Sequence, residues 1–120
     1  MKEDNQIAVD SKNFAVRIVN TYKYLTDVKK EFVMSKQILR SGTSIGANIS
    51  ESVFAQSRQD FISKLSISLK EASETKFWLE LLHETDYISD VQFNSLNNDN
   101  SKLIGTLVNI INSTKNKNNI

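Results

Sequence analysis

Not one proline interrupts the 120 residues of this chain, and there are only three glycines. Apolar side chains recur every three or four positions along four successive stretches. Proline removes a backbone donor and clashes with the preceding turn, so its absence leaves long helices unbroken. β-branched residues never alternate cleanly with polar ones, as a half-buried strand would require. The pattern predicts an all-α chain.

The first stretch, about residues 12–28, carries Phe14, Ile18, Tyr22 and Leu25, and the second, about 31–55, carries Met34, Ile38, Ile45 and Ile49. The third, about 58–85, has Phe61, Leu65, Leu69, Ala72 and Leu79. The fourth, about 90–113, has Phe93, Leu96, Leu103, Leu107 and Ile111. Each set falls on one side of a helix that advances about 100° per residue. Four one-sided helices with short connections bury their stripes as an antiparallel, up-down-up-down four-helix bundle, with Ile45 and Leu69 expected in its core.

Start signals are clear for the last two helices. Ser57 stands where an N-cap would, with Asp60 three residues on, and Ser89-Asp90-Val91-Gln92 has the form of a capping box. The connection near Thr26–Lys30 has no strong breaker. Asn97-Asn98-Asp99-Asn100 is the weakest helix-forming run and reads either as a loop splitting the fourth helix or as part of it, since the apolar stripe resumes in phase beyond it. The expected ordered core is about 12–113, followed by a polar, frayed tail at 114–120.

A length of 120 residues with 39% hydrophobic and 24% charged content describes one globular domain with a core, outside the disordered class. Without cysteine there is neither a disulfide framework nor a thiolate metal site. No secretory leader is seen at the start, and no apolar run reaches the roughly 18 residues of a membrane span. These features lead to the expectation of a cytoplasmic protein with no membrane association. The net charge of +1 is too small for indiscriminate nucleic-acid binding, but residues 1–50 carry +3, residues 51–114 carry −4 and the tail carries +2. An electrostatic partner surface would therefore lie on the first half.

The run Glu31-Phe32-Val33-Met34-Ser35-Lys36-Gln37-Ile38-Leu39-Arg40-Ser41-Gly42-Thr43-Ser44-Ile45-Gly46-Ala47-Asn48-Ile49-Ser50-Glu51 resembles the signature of a bacterial family. Phe61 to Leu69 and Phe77-Trp78-Leu79-Glu80-Leu81-Leu82-His83-Glu84-Thr85 are similar to that family's third helix. Its members are four-helix-bundle proteins encoded in intervening sequences of 23S ribosomal RNA genes, related to accessory proteins of diversity-generating retroelements. The resemblance covers about Phe14 to Ile88. It implies a ring-like homo-oligomer, a pentamer in known members, no enzyme activity, and RNA as a suspected partner.

No residues assemble into a catalytic or cofactor site. Glu80-Leu81-Leu82-His83 has the Glu-x-x-His spacing of di-iron bundles, which need that motif on two helices, but His83 is the only histidine. It reads as a helix-terminal histidine near the negative end of the dipole. There is no Gly-x-Ser-x-Gly elbow or phosphate loop. Gly42 and Gly46 are placed to let a neighbouring helix approach, and Ser41 and Asn48 to hydrogen-bond within the bundle. No metal or cofactor is expected.

Two surfaces stand out. Trp78 lies well over a third of a turn from the Phe61–Leu65–Leu79 stripe, with Ile67 beside it and Leu81 further round. Leu39 and Val53 form a second apolar edge on the second helix. Both edges read equally as a wide intramolecular stripe or as a subunit interface, for which the candidates are Leu39, Ile67 and Trp78. Lys36 and Arg40, one turn apart, face away from Met34, Ile38 and Ile45, and Lys29 joins them if the helix reaches back that far. They are a solvated face or a phosphate-contacting stripe. The function that follows is a non-enzymatic oligomeric module with an RNA or protein partner, the alternative being a purely structural assembly.

Overall fold

The computed structural model describes residues 2–117, with side chains from residue 6 onward. Among these residues there are four helices and no strand: α1 (Lys2–Asp27), α2 (Met34–Ser52), α3 (Arg58–Glu84) and α4 (Asp90–Asn116). α2 packs between α1 and α3, and α4 packs between α3 and α1, where the seam with α1 is the thinnest of the four. Among the described residues the diagonal pairs, α1 with α3 and α2 with α4, have no close backbone approach. The up-down-up-down bundle measures 52 × 22 × 20 Å, as expected from the four stripes.

α1 starts ten residues earlier than the apolar pattern indicated, because Ile7 and Ser11 are buried and extend its inner stripe by two turns. The Asn-rich run does not split α4. Asn100 is fully buried and its Nδ2 donates to the Ala72 carbonyl of α3 at 2.9 Å, so a polar residue serves as an inter-helix tie. α4 also runs past residue 113 to Asn116, with Thr114 buried; of the expected frayed tail, 118–120 lie outside the described residues.

Ile18, Leu25, Ile38, Ile45, Leu79 and Leu107 are completely buried, and Leu82 and Ile110 join them. Leu69, expected with Ile45 in the core, is only half-buried, as are Met34, Phe61 and Phe93. Tyr22 is half-buried outside the core cluster, and Tyr24 packs on it instead. The stripes were assigned to the correct sides of their helices, but residues at a stripe's edge are covered by one neighbour and open on the other side.

α2 starts at Met34 rather than near residue 31 because Glu31 caps it. The Glu31 carboxylate accepts from the backbone N–H groups of Val33 (3.1 Å), Met34 (3.1 Å) and Ser35 (2.7 Å). Burial would raise its pKa, but these donors outweigh it and hold the carboxyl below its ordinary value. Lys30, at φ 55°, makes the reversal out of α1. α3 ends in a Schellman motif: Asp86 sits at φ 67°, its N–H donates to His83 O and the N–H of Tyr87 donates to Leu82 O. Ser57 accepts from the Asp60 N–H at 3.0 Å, and Ser89 with Gln92 forms the full capping box, both as anticipated.

α1 approaches α2 closely where α2 has no side chains. A Cβ on Gly42 would lie 2.7 Å from Ile18 Cγ1, and one on Gly46 would lie 3.2 Å from the Ser11 carbonyl oxygen. Gly105 faces open space. These environments separate packing from propensity. Gly105→Ala is expected to stabilise the protein by about 0.5–1 kcal/mol through helix propensity. Gly42→Ala is expected to destabilise it by about 1–3 kcal/mol despite the same propensity gain, because Ile18 is completely buried and must shift. Urea denaturation of both variants checks the pair, with Ile45→Ala, expected to cost about 2–5 kcal/mol, as the large-to-small reference.

Candidate interaction surface

Polar side chains on α2 meet α3 along the outer edge of their seam. Arg40 donates to Glu71 Oε2 at 3.0 Å and to Glu74 Oε2, and Glu74 Oε2 also accepts from the indole N–H of Trp78 at 3.0 Å. The i, i+3 and i+7 spacing of Glu71, Glu74 and Trp78 places all three on one side of α3. Trp78 is half-buried, with its ring partly on the core. Phe77 packs edge-on against it at 5.0 Å and 78°, and is itself 55% exposed. Ile67, three turns earlier on the same side, is 39% exposed. The result is an aromatic and aliphatic ridge whose tryptophan is held in one orientation by a carboxylate.

Leu39 is not on this ridge. It is half-buried and packs on the core, one turn before Thr43 on the same side of α2. Thr43, Gly46, Ser50 and Val53 continue the same side at helical spacing, and with Ala8 and Ala15 of α1 they border a groove of about 430 Å³. The two apolar edges anticipated from the pattern are therefore separate surfaces. Glu71, Glu74 and the alanines of the groove escaped the sequence reading, and Phe77 entered it only within the family-like run; the spacing of the two glutamates to Trp78 was the available signal.

Lys29, Lys36 and Arg40 are differently placed. Lys36 is exposed on the first turn of α2. Lys29 lies in the α1–α2 loop, its ammonium 6.0 Å from the Tyr24 ring centroid. Arg40 is opposed by two carboxylates, so its charge is largely balanced within the protein. His83 sits in the last turn of α3 as expected; its Nε2 lies 2.6 Å from Asp90 Oδ1 and its ring stacks on Phe93 at 4.4 Å. Ser41 accepts from Thr75 Oγ1 at 2.9 Å, and Asn48 donates to the Ser44 carbonyl. Among the described residues no three His, Cys, Asp or Glu side chains converge as metal ligands, and no helix is long and apolar enough to cross a membrane.

Glu74 and Trp78 make a titration visible. The Glu74 carboxyl is held below the ordinary glutamate value of 4.5, first by the indole N–H and then by Arg40. A depressed folded-state pKa contributes stability above the unfolded value and loses it as pH falls through the folded one. Since Trp78 is the only tryptophan, its fluorescence is expected to shift at a midpoint below pH 4.5, and Glu74→Gln is expected to abolish that step.

A family model described as 23S rRNA-intervening sequence protein matches residues 3–109. A crystal structure from Bacteroides thetaiotaomicron, described as a protein with unknown function from the S23 ribosomal protein family, is 60% identical to this chain. The match covers 92% of this chain and 98% of that one, with a TM-score of 0.91. No curated protein matches. With a full-length fold in common and the family model spanning all four helices, the chain belongs to the 23S rRNA-intervening sequence protein family.

Proposed function

We propose that this protein is a non-enzymatic module that works as a homo-oligomer, a pentamer by family resemblance, and presents its assembled outer surface to an RNA or protein partner. The observation that carries the reading is Trp78, the single tryptophan, kept partly exposed on α3 and oriented by Glu74 between Phe77 and Ile67. Rigid aromatics flanked by apolar side chains are the usual anchors of protein interfaces. Size exclusion with light scattering at tens of micromolar is expected to give a mass several times 13.6 kDa. Trp78→Ala is expected to reduce it while retaining helical circular dichroism. A monomeric parent overturns the reading.

Contact with phosphates would fall to Lys29 and Lys36, because Arg40 is already engaged by Glu71 and Glu74. Two cations per subunit are too few for appreciable affinity, but a closed assembly repeats them. In fluorescence-anisotropy titrations of a structured RNA, a Lys29→Ala, Lys36→Ala variant is expected to bind more weakly and to flatten the salt dependence by up to about two units per subunit engaged. Arg40→Ala is expected to change it little. Absence of binding by the parent at low salt removes RNA as the partner and leaves a protein.

A further inference from the structure

The core lies open at one end of the bundle. Ile7 of α1, Ile49 of α2, Leu65 of α3 and Ile110 of α4 are all buried, and together they floor a cavity of about 390 Å³. Helix lengths make the opening. From the level of these four residues α3 runs back seven positions to Arg58 and α4 runs on six to Asn116, but α2 stops after three, at Ser52. The corner that one further turn of α2 would have filled is walled instead by the connection 53–57.

No charged side chain lines this cavity. Its two serines are already engaged: Ser52 Oγ donates to the Ile49 carbonyl at 2.6 Å, and Ser57 Oγ accepts from the Asp60 N–H at 3.0 Å. Water settles in such a space only where it finds two to four polar partners, so the cavity suits an apolar occupant. Its rim is apolar as well. Val53 is 72% exposed, and Phe54, between the lining residues Val53 and Ala55, is 82% exposed.

Ala8 and Val53 line the cavity and also border the α1–α2 groove, so the two spaces meet at these side chains. Lys12, one helical turn from Ala8, is the groove's one charged side chain, and among the described residues no carboxylate pairs with it. An apolar space with a single unpaired cation one turn from its mouth is laid out for an amphiphile with one negative charge.

We propose that cavity and groove together bind one medium-chain fatty acid per subunit, its alkyl chain in the cavity and its carboxylate in the groove against the Lys12 ammonium. Charge and volume narrow the class. One unpaired cation balances a carboxylate but leaves a doubly charged phosphate half unbalanced. An apolar cavity of about 150 Å³ encloses a six-carbon ring, so 390 Å³, open on one side, houses one chain of about ten to twelve carbons and not the two long chains of a membrane phospholipid. The alkyl chain carries the affinity, since an exposed ammonium adds little, and Lys12 carries the preference for an acid. The site uses none of the residues assigned to the partner surface, and it does not depend on what binds there.

Isothermal titration calorimetry of the whole chain with the even-numbered acids from hexanoate to tetradecanoate, each below its micelle concentration, tests the cavity. Affinity is expected to rise about fourfold per added methylene at one ligand per subunit, and to level off near twelve carbons as the chain outgrows the space. Decanol against decanoate tests the head group: the alcohol is expected to bind several-fold more weakly, with Lys12→Ala erasing that difference and Lys12→Arg restoring it. Ala8→Phe and Ala55→Phe each bring a ring to the mouth, one from α1 and one from the connection. Both are expected to weaken decanoate binding by about tenfold or more, with circular dichroism and thermal melting to verify their folds. Affinity independent of chain length, or unchanged in both phenylalanine variants, overturns the cavity as the site. A decanoate preference that persists in Lys12→Ala overturns the place of the carboxylate. A parent without saturable binding overturns the proposal as a whole.

Discussion

Three buried hydrogen bonds tie α3 to the helices on either side of it. Ser68 donates to the Ile45 carbonyl at 2.9 Å, Thr75 donates to Ser41 Oγ at 2.9 Å, and Asn100 donates to the Ala72 carbonyl at 2.9 Å. Apolar stripes alone do not fix how far one helix slides along another, since hydrophobic burial has no direction. Sliding α3 would strand the Ser68 hydroxyl and the Asn100 amide in a core where unpaired donors and acceptors cost about 1–3 kcal/mol each, whereas Thr75 and Ser41 could fall back on carbonyls of their own helices. Their register also sets Arg40 of α2 opposite Glu71 and Glu74, and through Glu74 it orients Trp78. A polar pattern in the core thus determines the shape of the outer surface.

The chain reverses direction without proline or glycine in its connections. Lys30 and Asp86 accept left-handed backbone, and the free ends of the following helices are closed by Glu31 for α2 and by the Ser89–Gln92 box for α4. Glu31 is itself buried, yet the donors it satisfies keep it ionised. Such closures hold the four helices antiparallel.

Small residues on α2 have two consequences. On the inner side, Gly42 and Gly46 allow α1 to approach within contact of Ile18 and Ser11. On the outer side, the same lack of side-chain bulk, continued by Ala47 and Ser50, leaves a groove where two ordinary helices would have presented a filled, charged seam. Close packing and an open surface groove arise from one local feature. The α1–α4 seam is by contrast bridged at its edge by a charged side chain, Arg17, which reaches Asp99 and Ser95.

Helix periodicity and missing breakers determined the class of fold, the helix count and most of the core, because burial of a one-sided stripe is a local property of 3.6-residue spacing. The serine caps were legible for the same reason, each being complete within four residues. Leu69 and Tyr22 were not, because membership of a stripe does not say which of its edges a neighbour covers. Only the tertiary structure decided that Asn100 belongs in the core, that Arg40 is balanced by carboxylates more than thirty residues away in sequence, and that Leu39 and Trp78 lie on different faces. Those outcomes depend on the rotation and register of one helix against another, which are set by contacts between residues far apart in the chain and leave no periodic trace along it.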